Sequence, residues 1–224
     1  MKQIKWQNID TVLLDMDGTL LDLHFDNQFW QNHVPRRYAE QQGISIDEAH
    51  TILVPRFAQM EGKLEWYCVD YWSDKLSLDI MHLKKELMHL IAVHPHVPEF
   101  LTRLKQQGKR VVLVTNAHHK TLAFKMNLTH LEPHFDNIIS SHSLGLPKEE
   151  PDFWSQLQEL ESFDPARTVL VDDSLPVLRS ARQYGIAYLY AIYCPDSQAS
   201  QRPVGDFQAI HTFDEIMPRC KNVA

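Results

Sequence analysis

Two carboxylates one residue apart, Asp15 and Asp17, directly follow a short β-branched and leucine run, Thr11 to Leu14, and precede Gly18 and Thr19. A pair at this spacing can share a metal and divide labour, one group attacking and the other moving protons. In an open parallel sheet, ligands bind at the C-terminal ends of the strands, so both carboxylates would emerge at the mouth of a crevice. Gly18 lets the backbone turn sharply and leaves N–H groups free for anionic oxygens. A bare Asp-x-Asp also reads as a polar turn ending a strand; the context of strand, Asp-x-Asp, Gly and Thr favours chemistry. Three further places could contribute groups: Thr115-Asn116 after the run from Arg110, Lys148 after the run from Asn137, and Asp172-Asp173 after the run from Thr168. Each lies at a strand end or in the loop after one.

The elements that must position these groups are written in the apolar pattern. Short runs at Thr11 to Leu14, Arg110 to Thr115, Asn137 to Ser140, Thr168 to Val171 and Tyr188 to Ile192 alternate with helical patterning, which predicts a parallel sheet built of βαβ units. The intervening helices are expected at His118 to His130, Asp152 to Glu161 and Leu175 to Tyr184. The last has Ser174 as N-cap, Pro176 in its first turn and Gly185 as its stop. The stretch from Asp22 to Val93 carries amphipathic helical patterning and no convincing strand, so it reads as an inserted helical cap. Within it, Ser45 and Glu48 have capping-box spacing after Gly43. Val97 to Gln107 then forms the helix leading back into the sheet, with Gly108 just past its end. The fold class is therefore α/β: a Rossmann-like parallel core from residues 1–21 and 94–224, with an α-helical cap from residues 22–93.

The Asp-x-Asp-Gly-Thr segment resembles the first motif of the haloacid dehalogenase superfamily, and Thr115-Asn116, Lys148 and Asp172-Asp173 resemble the rest of its signature in the same order. The resemblance implies phosphoryl transfer, whose transition state needs positioning and charge neutralisation. Asp15 would be the nucleophile, forming a phospho-aspartate, and Asp17 the acid and base. Gly18, Thr19, the Thr115 hydroxyl and the N–H groups of Asn116 and Ala117 would hold phosphoryl oxygens near a helix start. His118, two residues past Asn116, could touch the phosphate or leaving group. Lys148 would offset the charge crowded between Asp15 and the phosphate; its plain alternative is a solvated lysine beside Glu149 and Glu150. The cofactor implied is Mg2+, held by Asp15, the Asp17 carbonyl oxygen and Asp173, the carboxylate before Ser174. Asp172 stands where the family commonly has glycine and is expected to support the metal or Lys148.

Longer stretches narrow the likeness. Asp10 to Leu23, Trp66 to Trp72, Thr115 to His118, Pro147 to Glu149 and Val171 to Ser174 together resemble the bacterial GMP/IMP nucleotidases of that superfamily. The substrate class so implied is a purine nucleoside 5'-monophosphate, a small phosphomonoester. In the cap, Trp66, Tyr67, Tyr71 and Trp72 cluster, with Tyr67 and Tyr71 four apart on one expected helical face. Trp66, Tyr67 and Tyr71 could stack on a nucleobase, or they could pack the cap. Competing functions are a phosphomutase of the same fold and, outside enzymes, a phospholigand-binding module without catalysis. The second has no use for both carboxylates, the lysine and the metal pair. A dehalogenase needs neither Asp17 nor a metal.

Composition closes off other classes. The 224 residues are 44% hydrophobic and 23% charged, ordinary for a globular protein. A formal net charge of −7 argues against a nucleic-acid polymer as partner. The run Val12 to Leu14 is too short for a membrane span or a signal segment, so a cytoplasmic, membrane-free protein is expected. Cys68, Cys194 and Cys220 form no CxxC pair, and the 13 histidines no HExxH, so no disulfide framework or zinc site is indicated.

Overall fold

The computed structural model describes residues 4–219; Cys220 lies outside them. Five strands occupy the positions of the apolar runs: β1 (Thr11–Leu14), β2 (Arg110–Thr115), β3 (Asn137–Ser140), β4 (Thr168–Val171) and β5 (Tyr188–Ile192). A sixth, β6 (Gln208–Ile210), was not anticipated, because three residues are too few to show alternation. The strands form one parallel sheet in the order β3-β2-β1-β4-β5-β6. The chain therefore reverses direction across the sheet at β1, which pairs Leu14 with Leu113 on one side and with Val171 on the other. Such a switch point opens a crevice at the C-terminal strand ends.

Among the described residues, ten α-helices accompany the sheet. Six lie between β1 and β2: α1 (His24–Gln28), α2 (Val34–Gln42), α3 (Ile46–Ala58), α4 (Leu64–Tyr67), α5 (Val69–Leu76) and α6 (Ile80–Glu86). The remaining four alternate with the strands: α7 (Val97–Gln106), α8 (His119–Thr129), α9 (Pro151–Leu160) and α10 (Leu175–Tyr184). Strand alternation divides the core. Val12 and Leu14 pack with Phe100 and Leu104 of α7 and Met126 of α8, whereas Leu13 packs with Trp154 and Leu157 of α9 and Leu178 of α10.

The helical segment between β1 and β2 has an apolar cluster of its own, including Phe29, Leu53, Trp72 and Ile80. It joins the core through paired backbone. Asp22 N–H donates to the Ala92 carbonyl and His94 N–H to the Leu20 carbonyl, both at 2.9 Å. Inside it, the Ser45/Glu48 capping box is formed, with Glu48 N–H donating to Ser45 Oγ at 3.2 Å and Ser45 N–H to Glu48 Oε2 at 2.9 Å. Pro55 is accommodated within α3.

Two local expectations are corrected. Cys68 has extended backbone (φ −86°, ψ 108°) and breaks the helix between α4 and α5, so Tyr67 and Tyr71 do not share one helical face. Ser174 occupies the N-cap of α10, but its side chain makes no capping bond; its N–H is instead taken by Asp172 Oδ1 at 2.9 Å. No described helix is long and apolar enough to cross a membrane.

Candidate active site

The turn after β1 sets the first two carboxylates. The Met16 carbonyl accepts N–H groups of Leu20 at 3.0 Å and Leu21 at 2.8 Å, winding residues 16–21 into a tight loop. Gly18 has φ +81°, and a Cβ there would fall 2.6 Å from Asp173 Oδ2. Glycine is thus required twice, by the left-handed backbone and by the close approach of the β4 carboxylate. Any side chain at residue 18 would push Asp173 away from Asp15.

Around this turn the structure gathers Asp15, Asp172 and Asp173, whose carboxylate oxygens all lie within 4.8 Å of one another. Lys148, fully buried, donates from Nζ to Asp15 Oδ1 at 2.5 Å, to Asp172 Oδ2 at 2.7 Å and to the Val114 carbonyl at 3.0 Å. It lies behind the carboxylates and does not line the cavity, so its charge reaches a ligand through Asp15. Burial opposes the charge on Lys148, but Asp15 and Asp172 outweigh it and keep the ammonium above its usual range. Burial raises Asp15 and Asp172 to about 6 each against the pull of Lys148. Asp173 rises to about 7 through burial and the nearby Asp15 charge, opposed by Arg202, which donates to its Oδ2 at 2.6 Å. Buried carboxylates crowded beyond the cations available, offering hard oxygen donors, are a suitable setting for a divalent cation such as Mg2+.

Asp17 belongs to a second buried charge cluster. Lys125, on the apolar stripe of α8, donates to Asp17 Oδ1 at 2.6 Å and to Asp26 Oδ2 at 2.5 Å. Asp26 Oδ1 in turn accepts from Lys84 Nζ at 3.1 Å, and that ammonium lies 4.5 Å from the Phe29 ring centroid. Burial raises Asp17 to about 6, with Lys125 opposing. For Asp26, burial works in the same upward direction, but Lys125 and Lys84 outweigh it and its carboxylate is held low. The line Asp17, Lys125, Asp26, Lys84 thus runs from the core into the inserted helices.

A third line joins the same two parts. The Tyr67 hydroxyl donates to Glu149 Oε1 at 2.6 Å, Asn116 Nδ2 donates to Glu149 Oε2 at 2.8 Å, and Asn116 Oδ1 accepts the Lys148 N–H at 2.9 Å. Burial and the Glu149 charge keep the Tyr67 phenol protonated. Thr115 Oγ1 accepts the Ala117 N–H at 3.0 Å.

These groups face a cavity of about 930 Å3 between the strand ends and the inserted helices. Asp15, Asp17, Thr115, Asn116, Ala117, Asp172 and Asp173 line it together with Trp30, Phe57 and Trp66 of the inserted helices, and Tyr67 lines it where those helices meet Glu149 and Asn116. Besides Lys148, four expected residues do not line it. Gly18 and the fully buried Thr19 lie in the turn beneath. The Tyr71 ring packs edge-on against Trp72 at 5.1 Å, and its hydroxyl faces Met60 Sδ, so it belongs to the helical layer's own packing. His118 caps α8, its Nδ1 accepting the Lys120 N–H at 3.4 Å, and its ring meets His142 at 4.9 Å. Burial lowers His118 and takes His142 down to about 4.

The sequence reading missed Asp26, Lys84, Lys125, Glu149 and Arg202. One signal was available: Lys125 shares a stripe with Thr121, Leu122 and Met126, and a lysine at an apolar helical position asks for a buried partner. The others lie on ordinary polar positions and come together only through the fold.

The chain belongs to the haloacid dehalogenase-like hydrolase family, whose profile matches residues 9–185. It is 38% identical over 215 residues to the GMP/IMP nucleotidase YrfG of Escherichia coli K12, covering 96% of this chain and 97% of the relative. It is 22% identical over 191 residues to a phosphorylated carbohydrates phosphatase of Thermotoga maritima, covering 82% of this chain and 85% of that protein. Among solved structures, a HAD phosphatase from Thermococcus onnurineus superposes with a TM-score of 0.77 at 24% identity, covering 93% of this chain and 96% of the other. CbbY from Rhodobacter sphaeroides, solved with phosphate, gives 0.64 at 19% identity, covering 93% of this chain and 96% of the other. At those identities the two structures speak for the fold.

Proposed function

We propose that this family phosphatase removes the phosphate of purine nucleoside 5'-monophosphates, GMP and IMP, through a phospho-aspartate on Asp15. The observation that carries the reading is that Asp15 and Asp17 line the same cavity as the aromatic group Trp30, Phe57 and Trp66 of the inserted helices. Phosphate chemistry and an apolar, stackable surface thus share one volume suited to a small ligand. The 38% identity to a GMP/IMP nucleotidase over nearly all of both chains supports the same substrate class.

In the first half-reaction an Asp15 carboxylate oxygen attacks phosphorus. The bond to O5' breaks, and O5' takes the proton of Asp17, leaving nucleoside and phospho-aspartate. In the second, Asp17 accepts a proton from water as the water oxygen attacks phosphorus, and the bond to Asp15 breaks to release phosphate. Lys125 positions Asp17 for both transfers, and Lys148 orients Asp15 from behind. When bound, Mg2+ held by Asp15, Asp173 and the Asp17 carbonyl would neutralise charge between nucleophile and phosphate. Both oxygens of Asp172 are already engaged, by Lys148 and by the Ser174 N–H, which supports its reading as a holder of Lys148.

Residues 22–93 act as the cap and residues 1–21 and 94–224 as the core, a division supported by the separate apolar cluster and the paired entry and exit at Leu20 to Asp22 and Ala92 to His94. The partner is thus a small phosphomonoester, and the setting cytoplasmic. The test is a panel of phosphomonoesters, nucleotide and non-nucleotide, assayed with and without Mg2+. GMP and IMP should lead the panel, and D15N should be inactive while folded. A sugar phosphate exceeding both purine nucleotides in kcat/KM by tenfold would refute the substrate assignment.

A further inference from the structure

Beside the catalytic cavity, outside its lining, three soft or borderline donors converge from distant parts of the chain. Cys68 stands at the break between α4 and α5, His118 at the start of α8, and His142 in the turn after β3. Their ligand atoms all lie within 4.8 Å of one another. Nothing in the proposed phosphatase cycle uses them.

Each donor is held in place by backbone. Cys68 Sγ accepts the Tyr71 N–H at 3.4 Å, and the His118 ring stands between the Lys120 N–H, 3.4 Å from Nδ1, and Asp70 Oδ2, 3.8 Å from Nε2, long contacts that a cation on either nitrogen would replace. The His142 ring hydrogen-bonds the backbone of Asn116, while its buried Nε2 has no partner among the described residues. A buried ring nitrogen without a partner costs free energy unless something binds it. An imidazole with one nitrogen fixed by backbone and the other directed at a cysteine and a second imidazole is arranged as metal-ligating histidines are. Burial also keeps both rings in the neutral, ligating form.

We propose that Cys68, His118 and His142 form a second metal site, selective for a borderline-soft divalent cation such as Zn2+, that fastens the inserted helices to the sheet. One sulfur and two nitrogens suit Zn2+ and exclude Mg2+, which takes oxygen ligands. Three protein ligands leave a fourth position for water. Because Cys68 comes from the inserted helices and both histidines from the core, a bound ion would tie the two beside the Tyr67/Glu149 and Lys120/Asp70 contacts, at 2.6 Å each. Zn2+ binding stands apart from the nucleotide reading, since it is measured without substrate.

The test uses the full chain in excess Mg2+, which occupies the carboxylate cluster, and titrates it with Co2+ as a spectroscopic substitute and then with Zn2+. The expected result is one Co2+ per chain with a thiolate-to-metal charge-transfer band, displaced by Zn2+. C68S should abolish the band, and C68S and H142Q should each weaken Zn2+ binding by at least about tenfold. Both variants should melt close to the wild type without Zn2+, so lost binding is not lost folding. Zn2+ held at the acidic cluster instead would show no thiolate band and equal affinity in all three proteins, and that result overturns the proposal. Absence of stoichiometric Co2+ and Zn2+ binding overturns it as well.

Discussion

Replacing Lys125 with methionine, of similar length and shape, removes the one cation shared by Asp17 and Asp26. Both carboxylates then remain largely withdrawn from water, with side chains 23% and 16% exposed, Lys84 still 3.1 Å from Asp26 and no cation hydrogen-bonded to Asp17 among the described residues. Breaking a buried charge pair by deleting one partner costs about 3 to 5 kcal/mol. For a domain of this size each kcal/mol moves Tm by about 2 to 4 °C, so K125M should melt roughly 6 to 20 °C below wild type. D26N removes the other partner and leaves Lys84 facing its aromatic neighbours. In the double variant K125M/D26N, Asp17 and Lys84 remain as one opposite pair, and the cluster keeps its charge balance. The double variant should therefore be more stable than the sum of the singles by about 1 to 3 kcal/mol. Urea unfolding of the four proteins measures this coupling. The kinetic counterpart is a fall in kcat of about 100-fold for K125M, since an acid displaced by about 1 Å loses its alignment. A melting point within 2 °C of wild type, together with additive free energies, would show that the cluster is not a coupled unit.

Three other expectations follow from the same geometry. Chelation should remove phosphatase activity, Mg2+ should restore it and Ca2+ should not; in a Mg2+ titration, D173A should raise the concentration needed, whereas D172A should chiefly lower kcat by freeing Lys148. Trp66→Ala should lower kcat/KM for GMP relative to a small artificial ester by about one to two powers of ten, from about 1 to 3 kcal/mol of lost stacking, while Tyr71→Ala leaves the ratio unmoved; equal ratios for both would place the base elsewhere. Glu161 is held below its ordinary value of 4.5 first by its bond with Arg110, and also by Asn137. Stability from a depressed carboxylate is full above that ordinary value and is lost as pH falls through the folded one, so the Tm gap between wild type and E161Q should be present at pH 7 and shrink as pH is lowered below 4.5.

Much of this protein is written locally. A parallel strand buried on both faces must be a short run of Val, Ile and Leu, so β1 through β5 show in the sequence with their bounds. The chain ends of β1, β2 and β4 then fix where Asp15, Asp17, Thr115, Asp172 and Asp173 emerge. Helix signals worked where they depend on near neighbours, as with Ser45 and Glu48. They failed at Cys68, where the break between α4 and α5 lets Trp72 Nε1 reach the Trp66 carbonyl at 2.9 Å, a contact of the folded layer. The tertiary structure alone decided which distant charges meet. Asp26 and Lys84 lie 99 and 41 positions from Lys125 in the chain, as the residue numbers show, and nothing in their own neighbourhoods marks them. Burial converts such polar residues into obligatory partners, because a charge removed from water must find its opposite wherever the fold supplies it. The same holds for Cys68, His118 and His142. The absence of CxxC and HExxH spacing spoke against a transition-metal site, yet a ligand set assembled from the inserted helices and two strand ends has no spacing to read.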